Sequence, residues 1–230
     1  MSTQTVELDD PGPRGGAPPT VRGLPTPQLH AQVAEIRGRH PSVGLAVGVV
    51  HDGRIGFFEG HGLADLDSAM PVTEDTVFRI ASITKVFTAI AVMQLVERGL
   101  VDLDQPADRY LRAYRLILAD PSFRTPTVRH LLTHTAGIPE VRGLTDLLRA
   151  DFTPSGGRPA TLSVRAGDPI PTLAAYYRDG LRVVVQPGTA FAYTNHGFAT
   201  LGQIVEDVSG MPLDRYVREH LFDPLGMADS

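Results

Sequence analysis

The segment from Ser82 to Arg98 is the feature that most constrains the fold. It is apolar on nearly every side, with hydrophobic residues spread around the helical repeat rather than gathered in one stripe. A helix of this kind is typical of a domain interior, because a surface helix keeps one polar face. Gly99 suits the C-terminal end of the helix, and Ser82 lies near its start, where a Ser side chain is favoured as a cap. We therefore predict a central helix covered by other elements.

This helix contains the only lysine of the chain, Lys85, because the other 20 of the 21 Lys and Arg residues are arginines. A mutational bias towards Arg explains that composition. Under such a bias, a lysine is expected to be retained where Arg cannot replace it. An amine can release a proton when it is desolvated, whereas a guanidinium keeps its proton. The alternative is an ordinary solvated lysine, which a nearly all-apolar helix disfavours, since an unpaired buried amine is costly.

Ser82 and Lys85 form an S-x-x-K pattern. Residues three apart on a helix share a face, so the Ser hydroxyl and the Lys amine are expected to be neighbours. A Ser hydroxyl is a poor nucleophile at neutral pH unless a base lies beside it, and a helix N-terminus favours a developing negative charge. The pattern predicts a nucleophile with its activating partner, although a four-residue pattern also arises by chance.

Composition excludes several classes of function. The net charge of −5 gives no general attraction to nucleic acid, and a chain without cysteine has no disulfide and no Cys-based metal site. The histidines lack the spacing of a metal site, and no Gly-rich phosphate loop is present. No apolar stretch approaches the roughly 20 residues of a membrane span. We predict no metal, no cofactor, no nucleic acid partner and no membrane span.

The remaining patterns indicate a mixture of helices and strands. Two apolar runs, Val43–Val50 and Ile55–Glu59, flank Asp52-Gly53 and predict a β-hairpin. Residues 143–171 are rich in Pro, Gly and Ser and are expected to form a loop. Further helices are predicted at Leu29–Arg39, Thr127–Thr133, Leu173–Tyr177, Gly197–Val208 and Pro212–Leu221.

Three ordered segments resemble one known family. Phe78–Lys85 is similar to the nucleophile segment of the serine β-lactamase and penicillin-binding protein family. His130–Gly137, which reads HLLTHTAG, resembles a second stretch of that family, and Tyr193-Thr194-Asn195, preceded by Pro187-Gly188, resembles the Y-x-N motif of its class C β-lactamase and esterase branch. Three motifs in the right order are specific, whereas any one alone is weak.

The resemblance implies a role for each site residue. Ser82 is expected to be the nucleophile, Lys85 and Tyr193 its catalytic partners, and Asn195 a substrate-binding residue that also fixes the Lys amine. The backbone N–H of Ser82 is expected to form half of an oxyanion hole. A phenol has a pKa of about 10, so Tyr193 needs the nearby cation to act as a base at neutral pH.

Other readings of these residues are simpler. Taken alone, Tyr193 is an ordinary core aromatic and Asn195 a helix cap. His134 invites comparison with a Ser-His-Asp triad, but its motif in this family is structural and orders the turn after a helix. Residues Ile138–Glu140 are expected to line the cleft.

The fold implied by the resemblance is α+β, of the β-lactamase and transpeptidase type. We expect a helical domain beside an incomplete antiparallel sheet that lacks its C-terminal strands, because nothing after Asn195 matches the family's K-T-G or H-x-G strand motif. Residues 1–28 are interpreted as a flexible leader without the apolar core of a signal peptide, and residues 29–230 as the hydrolase domain, truncated at its C-terminus. An open sheet edge and uncovered helix faces are then expected, and such an edge favours association with another chain.

These expectations lead to two hypotheses about function. The first is a cytoplasmic serine hydrolase that cleaves a small ester, amide or β-lactam through a Ser82 acyl-enzyme, with a carboxylesterase-like activity favoured over a true β-lactamase. The second is a truncated, non-catalytic remnant of the same fold that acts in binding or association. Because half of the cleft is expected to be missing, weak or no turnover is predicted for the 230-residue chain.

Overall fold

The computed structural model describes residues 26–140 and 169–230. The described residues fall into two compact units that divide between Arg79 and Ile80. The predicted loop at 143–171 lies almost wholly outside the described residues, as does most of the predicted leader at 1–28, of which residues 26–28 already belong to the first helix.

The first unit is a helix with a small antiparallel sheet. Helix α1 spans Thr26–Arg39 and is followed by strands β1 (Gly44–His51), β2 (Arg54–Asp65) and β3 (Met70–Pro71), in the sheet order β1-β2-β3. The predicted hairpin is confirmed, and it is longer than predicted. Asp52 and Gly53 have φ angles of +50° and +71°, the left-handed conformation at both central positions that a tight two-residue hairpin requires.

The second unit is mainly helical. A 3₁₀ turn at Ala81–Ile83 leads into α2, and the chain ends in a π turn at Arg218–Phe222 and a 3₁₀ turn at Asp223–Leu225. Its named elements are α2 (Thr84–Glu97), β4 (Leu116–Leu118), α3 (Val128–Leu132), α4 (Leu173–Tyr176), β5 (Leu181–Val183), α5 (Asn195–Ser209) and α6 (Leu213–Val217). All five predicted helices outside the central one are therefore present, each within a few residues of its predicted bounds.

The core of the second unit lies where α2, α3 and α5 pack together. On α2, Ala91, Val92 and Leu95 are completely buried. The opposing α5 contributes three residues that are also completely buried, Leu201, Ile204 and Val205. Burial of one large aliphatic side chain contributes about 1.5–3 kcal/mol, so this contact fixes α2 against the start of α5.

Only one face of α2 is covered. Val86, Ile90 and Met93, on its other face, are 54%, 41% and 41% exposed. The prediction of a helix buried on all sides is therefore wrong in the described structure. The apolar residues on all sides of α2 suit packing on both of its faces, and the described residues cover one face.

The α+β class with a small antiparallel sheet is confirmed, but the hairpin is not the whole of the β-structure. β4 and β5 form a separate two-stranded parallel pair, in which Leu116 lies opposite Leu181 and Leu118 opposite Val183. Three-residue strands whose paired residues lie 65 positions apart produce no detectable alternation in the sequence, so this pair was not predicted. No helix among the described residues is long and apolar enough to cross a membrane.

Gly137 ties the loop after α3 to the segment after β5. Its carbonyl oxygen accepts hydrogen bonds from Val184 N at 2.8 Å and from Val185 N at 3.3 Å. It has a φ of +72°, and a Cβ added there would collide with the carbonyl oxygen of Val185. This glycine therefore places the HLLTHTAG segment beside the residues that lead to Tyr193.

We expect Gly137→Ala to lower the free energy of unfolding by about 3 kcal/mol, because the left-handed backbone and the steric collision both oppose a Cβ. Thermal unfolding followed by circular dichroism should show a fall of roughly 6–12 °C. Gly210→Ala is the matched control, since Gly210 has a φ of +73° with nothing within 4 Å of its added Cβ. It should cost only about 1 kcal/mol, and equal losses in the two variants would contradict the prediction.

Candidate active site

Ser82 lies in the 3₁₀ turn that precedes α2, and its side chain does not cap the helix. No side-chain hydrogen bond caps either the turn or α2, so the expected capping position of Ser82 is wrong. The preceding residue, Ala81, has a φ of +45°, a conformation that costs a non-glycine residue on the order of 1–3 kcal/mol and that is concentrated at functional sites. The exposed Ser82 hydroxyl is thus left for other partners.

Lys85 follows one helical turn later and makes two hydrogen bonds through its amine. Nζ donates to Ser82 Oγ at 3.0 Å and to Asn195 Oδ1 at 2.6 Å. The amine also lies 4.9 Å from the ring centroid of Tyr193 and 5.8 Å from that of Phe198. The side chain is half-buried, so the predicted shared face with Ser82 is present, but the predicted apolar surroundings are replaced by two hydrogen-bond acceptors and two aromatic faces.

Tyr193 reaches Ser82 from the segment before α5. Its hydroxyl lies 2.6 Å from Ser82 Oγ. The side chain is 45% exposed, which does not fit an ordinary core aromatic. The nearby Lys85 amine and then the hydrogen bond to Ser82 lower the pKa of Tyr193 below its ordinary value of 10, while the negative charge of Glu140 opposes the shift.

Asn195 is the first residue of α5, and Thr194 is the cap. Thr194 Oγ1 accepts from His196 N at 3.2 Å, so the reading of Asn195 as a helix cap does not hold. Asn195 instead presents its carbonyl oxygen to Lys85 and donates from its side-chain nitrogen to Glu140 Oε1 at 2.7 Å. The α2–α5 packing brings these two helix starts together.

The ring of His134 packs against the ring of Tyr193, and no described hydrogen bond joins His134 to Ser82. Its ring centroid lies 4.5 Å from that of Tyr193, and its Nδ1 accepts from Thr194 N at 3.3 Å. Partial burial and then the charge of Lys85 lower the pKa of His134, which keeps Nδ1 free to accept. With a φ of +56° two residues after the end of α3, it has the turn-ordering position expected of its motif.

Glu140 is the site residue whose contacts were predicted least well from the sequence. Ile138–Glu140 was expected to line the cleft, but Ile138 is 1% exposed and belongs to the core. Glu140 itself is bonded to Asn195. Burial alone raises the pKa of Glu140, but hydrogen bonds from the main chain and side chain of Asn195 outweigh it and hold that pKa below the ordinary range. The only signal was its position three residues after the HLLTHTAG segment.

The four predicted site residues therefore meet in one place. A hydroxyl, an amine, a phenol and an amide converge from the start of α2 and the start of α5, with spacings of 2.6–3.0 Å. A hydroxyl held between an amine and a phenol is an arrangement that can transfer its proton and attack an electrophilic carbon. Within residues 26–140 and 169–230, no three His, Asp or Glu side chains are arranged to hold a metal ion.

Two curated proteins are similar in sequence to most of this chain. It is 34% identical to the esterase EstB of Burkholderia gladioli over 193 residues, which are 81% of this chain and 46% of EstB. It is also 34% identical to penicillin-binding protein 4 of Amycolatopsis lactamdurans over 198 residues, 85% of this chain and 46% of that protein. The chain thus spans about half the length of these curated relatives.

A solved structure agrees with the sequence comparison. The octameric penicillin-binding protein homologue of Pyrococcus abyssi superposes with a TM-score of 0.67 at 30% identity, covering 89% of this chain and 44% of that one. The family model described as Beta-lactamase matches residues 29–230. Because that match takes in far more than half of the sequence, the chain belongs to the Beta-lactamase family.

Proposed function

We propose that this chain carries the nucleophile and bases of a serine hydrolase that cleaves an ester or amide through an acyl-enzyme on Ser82. The observation that carries the proposal is the position of Ser82 Oγ, 2.6 Å from the Tyr193 hydroxyl and 3.0 Å from Lys85 Nζ. The relatives named as an esterase and a penicillin-binding protein support the same chemistry.

The donors and acceptors of these hydrogen bonds indicate in which direction the Ser82 hydroxyl proton moves. A protonated Lys85 amine can only donate, so Ser82 Oγ accepts from it and the hydroxyl's own proton is free to point at Tyr193. As Oγ attacks the carbonyl carbon, the proton passes to the Tyr193 oxygen, which reacts as a phenolate and becomes a neutral phenol, and the carbonyl electron pair moves onto oxygen. The Ser82 N–H, in the turn that leads into α2, would donate to this oxyanion.

Collapse of the tetrahedral intermediate would complete the acylation. The carbon–oxygen or carbon–nitrogen bond to the leaving group breaks, and the leaving group takes the proton held by Tyr193. A water molecule would then attack the acyl-enzyme by the same route and release the acid. Asn195 keeps one amide N–H beyond the one it donates to Glu140, and this second N–H would bind the carbonyl side of the substrate.

The test is covalent labelling of the purified chain with a fluorescent fluorophosphonate, which measures acylation-type attack by Ser82 without requiring turnover. We expect one adduct per chain, located by mass spectrometry on the peptide that contains Ser82, and none in Ser82→Ala. Ser122→Ala is the matched control, because Ser122 is an exposed hydroxyl bonded only to Asp120 within the described contacts, and it should label like the unmodified chain.

The competing hypothesis, a non-catalytic remnant, makes the opposite prediction. If the folded chain gives no adduct on Ser82, the hydrolase proposal fails and a binding or association role takes its place. A fluorescent penicillin used in parallel separates the substrate classes: labelling of Ser82 by the fluorophosphonate alone favours an ester or amide substrate, whereas labelling by both extends the proposal to β-lactams.

A further inference from the structure

Both carboxylate oxygens of Glu140 are bound to a single residue of the site. Oε2 accepts from the main-chain N–H of Asn195 at 2.6 Å, and Oε1 accepts from the Asn195 side-chain nitrogen at 2.7 Å. A charged acceptor makes stronger hydrogen bonds than a neutral one. The contact therefore holds the start of α5 and the side chain of Asn195 at once.

This contact determines which way the Asn195 amide faces. A carboxylate only accepts hydrogen bonds and an ammonium only donates them. With Glu140 on one side and Lys85 on the other, the amide is satisfied in one orientation alone, with its nitrogen towards Glu140 and its oxygen towards Lys85 Nζ at 2.6 Å. Without the carboxylate, the amide nitrogen loses its acceptor and the contact with Lys85 Nζ alone is left to orient the amide.

Glu140 is itself held by its main chain. Its carbonyl oxygen lies 3.1 Å from His196 Nε2, and Tyr177 OH lies 2.8 Å from His196 Nδ1. A carbonyl oxygen can only accept, so Nε2 carries the proton and Nδ1 accepts from the Tyr177 hydroxyl. Burial raises the pKa of Tyr177, which keeps that hydroxyl protonated and able to donate.

We propose that Glu140 is a positioning residue for the reaction at Ser82, acting through the Asn195 amide to hold Lys85 Nζ beside Ser82 Oγ and Tyr193. The proposal rests on the proposed function, since it assigns Glu140 to the machinery that activates Ser82. Both of its oxygens accept from Asn195, and no described hydrogen bond joins Glu140 to Ser82, Lys85 or Tyr193, so the role is one of orientation.

The charges around Tyr193 provide a readout whose sign separates two roles for Glu140. Lys85 on α2 lowers the pKa of Tyr193 and Glu140 raises it, while the neutral His134 ring packs against the phenol. If Glu140 were only a nearby negative charge, its removal would lower that pKa further. If it positions Lys85, its removal moves the amine away, and the pKa of Tyr193 rises towards its ordinary value.

The first experiment is a double-mutant cycle on the rate of fluorophosphonate labelling, with Glu140→Ala, Asn195→Ala and the double variant of the full chain. A misplacement of the order of 1 Å can lower a rate about 100-fold, so each single variant should label about 100-fold more slowly. Residues that act through one another are not additive, and the double variant should be no slower than the slower single one. An additive loss, about 10⁴-fold, would overturn the proposal.

Glu140→Ala also removes the bond to the main chain of α5, so each variant is first checked by circular dichroism. If Glu140→Ala does not fold, the same cycle is run with Glu140→Gln, which keeps the size of the side chain and one acceptor oxygen. The expected result is a smaller loss that again disappears in the Asn195→Ala background. A loss that persists there would overturn the proposal.

The second experiment titrates the phenol of Tyr193 by its phenolate absorbance, with the matching Tyr193→Phe protein subtracted for each variant. The midpoint should rise in Glu140→Ala and in Asn195→Ala, and a fall or no change in Glu140→Ala would overturn the positioning role. This measurement does not depend on labelling. If the unmodified chain fails to label at Ser82, the hydrolase proposal fails, while the titration still decides whether Glu140 holds Lys85 against Tyr193.

Discussion

Replacing Lys85 by Arg should lower the rate of fluorophosphonate labelling of Ser82 by about 10²–10⁴-fold, the usual contribution of a positioned acid–base group. Lys85 Nζ bonds both Ser82 Oγ at 3.0 Å and Asn195 Oδ1 at 2.6 Å. A planar guanidinium is larger than an ammonium and presents its donors in a rigid fork. It would therefore displace at least one of these contacts even though the positive charge is kept.

The comparison of Lys85→Arg with a neutral variant separates geometry from charge. If charge alone matters, Lys85→Arg should label like the unmodified chain and Lys85→Gln should not. If the compact amine is needed, both variants should be slow. Arg98→Lys, at the far end of α2, is the control for an Arg–Lys exchange away from the site and should leave the rate unchanged. Labelling of Lys85→Arg at the unmodified rate would contradict the prediction.

The hairpin and the closeness of Ser82 to Lys85 were predictable because their signals are local. Asp52-Gly53 supplies the two left-handed positions of the turn, and the spacing of Ser82 and Lys85 places them on one helical face. The meeting of these residues with Tyr193 and Asn195 depends on packing between α2 and α5, which lie about 100 residues apart in the sequence. Only the resemblance to a family connected those segments in advance.

What the sequence did not reveal are contacts whose partners have no local pattern. Glu140 is an ordinary acidic residue in a loop until α5 brings Asn195 N to 2.6 Å from its carboxylate. The 3₁₀ turn at Ala81–Ile83 likewise depends on a left-handed alanine, which no propensity favours. The expected cap at Ser82 was wrong for the same reason, since local preference assigns a Ser near a helix start to capping and tertiary contacts override that preference.

Replacing Tyr193 by Phe should remove the group that receives the Ser82 proton, while the ring remains packed against His134, with 4.5 Å between the ring centroids. We expect the rate of Ser82 labelling to fall by about 10²–10⁴-fold with little change in thermal stability, because the hydroxyl is exposed and bonded to Ser82 rather than buried in the core. Tyr110→Phe is the matched control. It removes another phenol, the acceptor of Asp102 N at 2.9 Å, and should lower stability by about 1 kcal/mol without changing the labelling rate.

The pH dependence of the same reaction tests the role of Tyr193 as a base. Tyr193 attacks the Ser82 proton as a phenolate, so the labelling rate should rise with pH as the phenol loses its proton. Lys85 and Ser82 lower the pKa of Tyr193, and the rise should therefore occur below pH 10, the ordinary midpoint of a phenol. Tyr193→Phe has no group to titrate there, and its slower rate should lack this rise. If both proteins show the same rise, the titrating group lies elsewhere and the assignment of Tyr193 as the base is wrong.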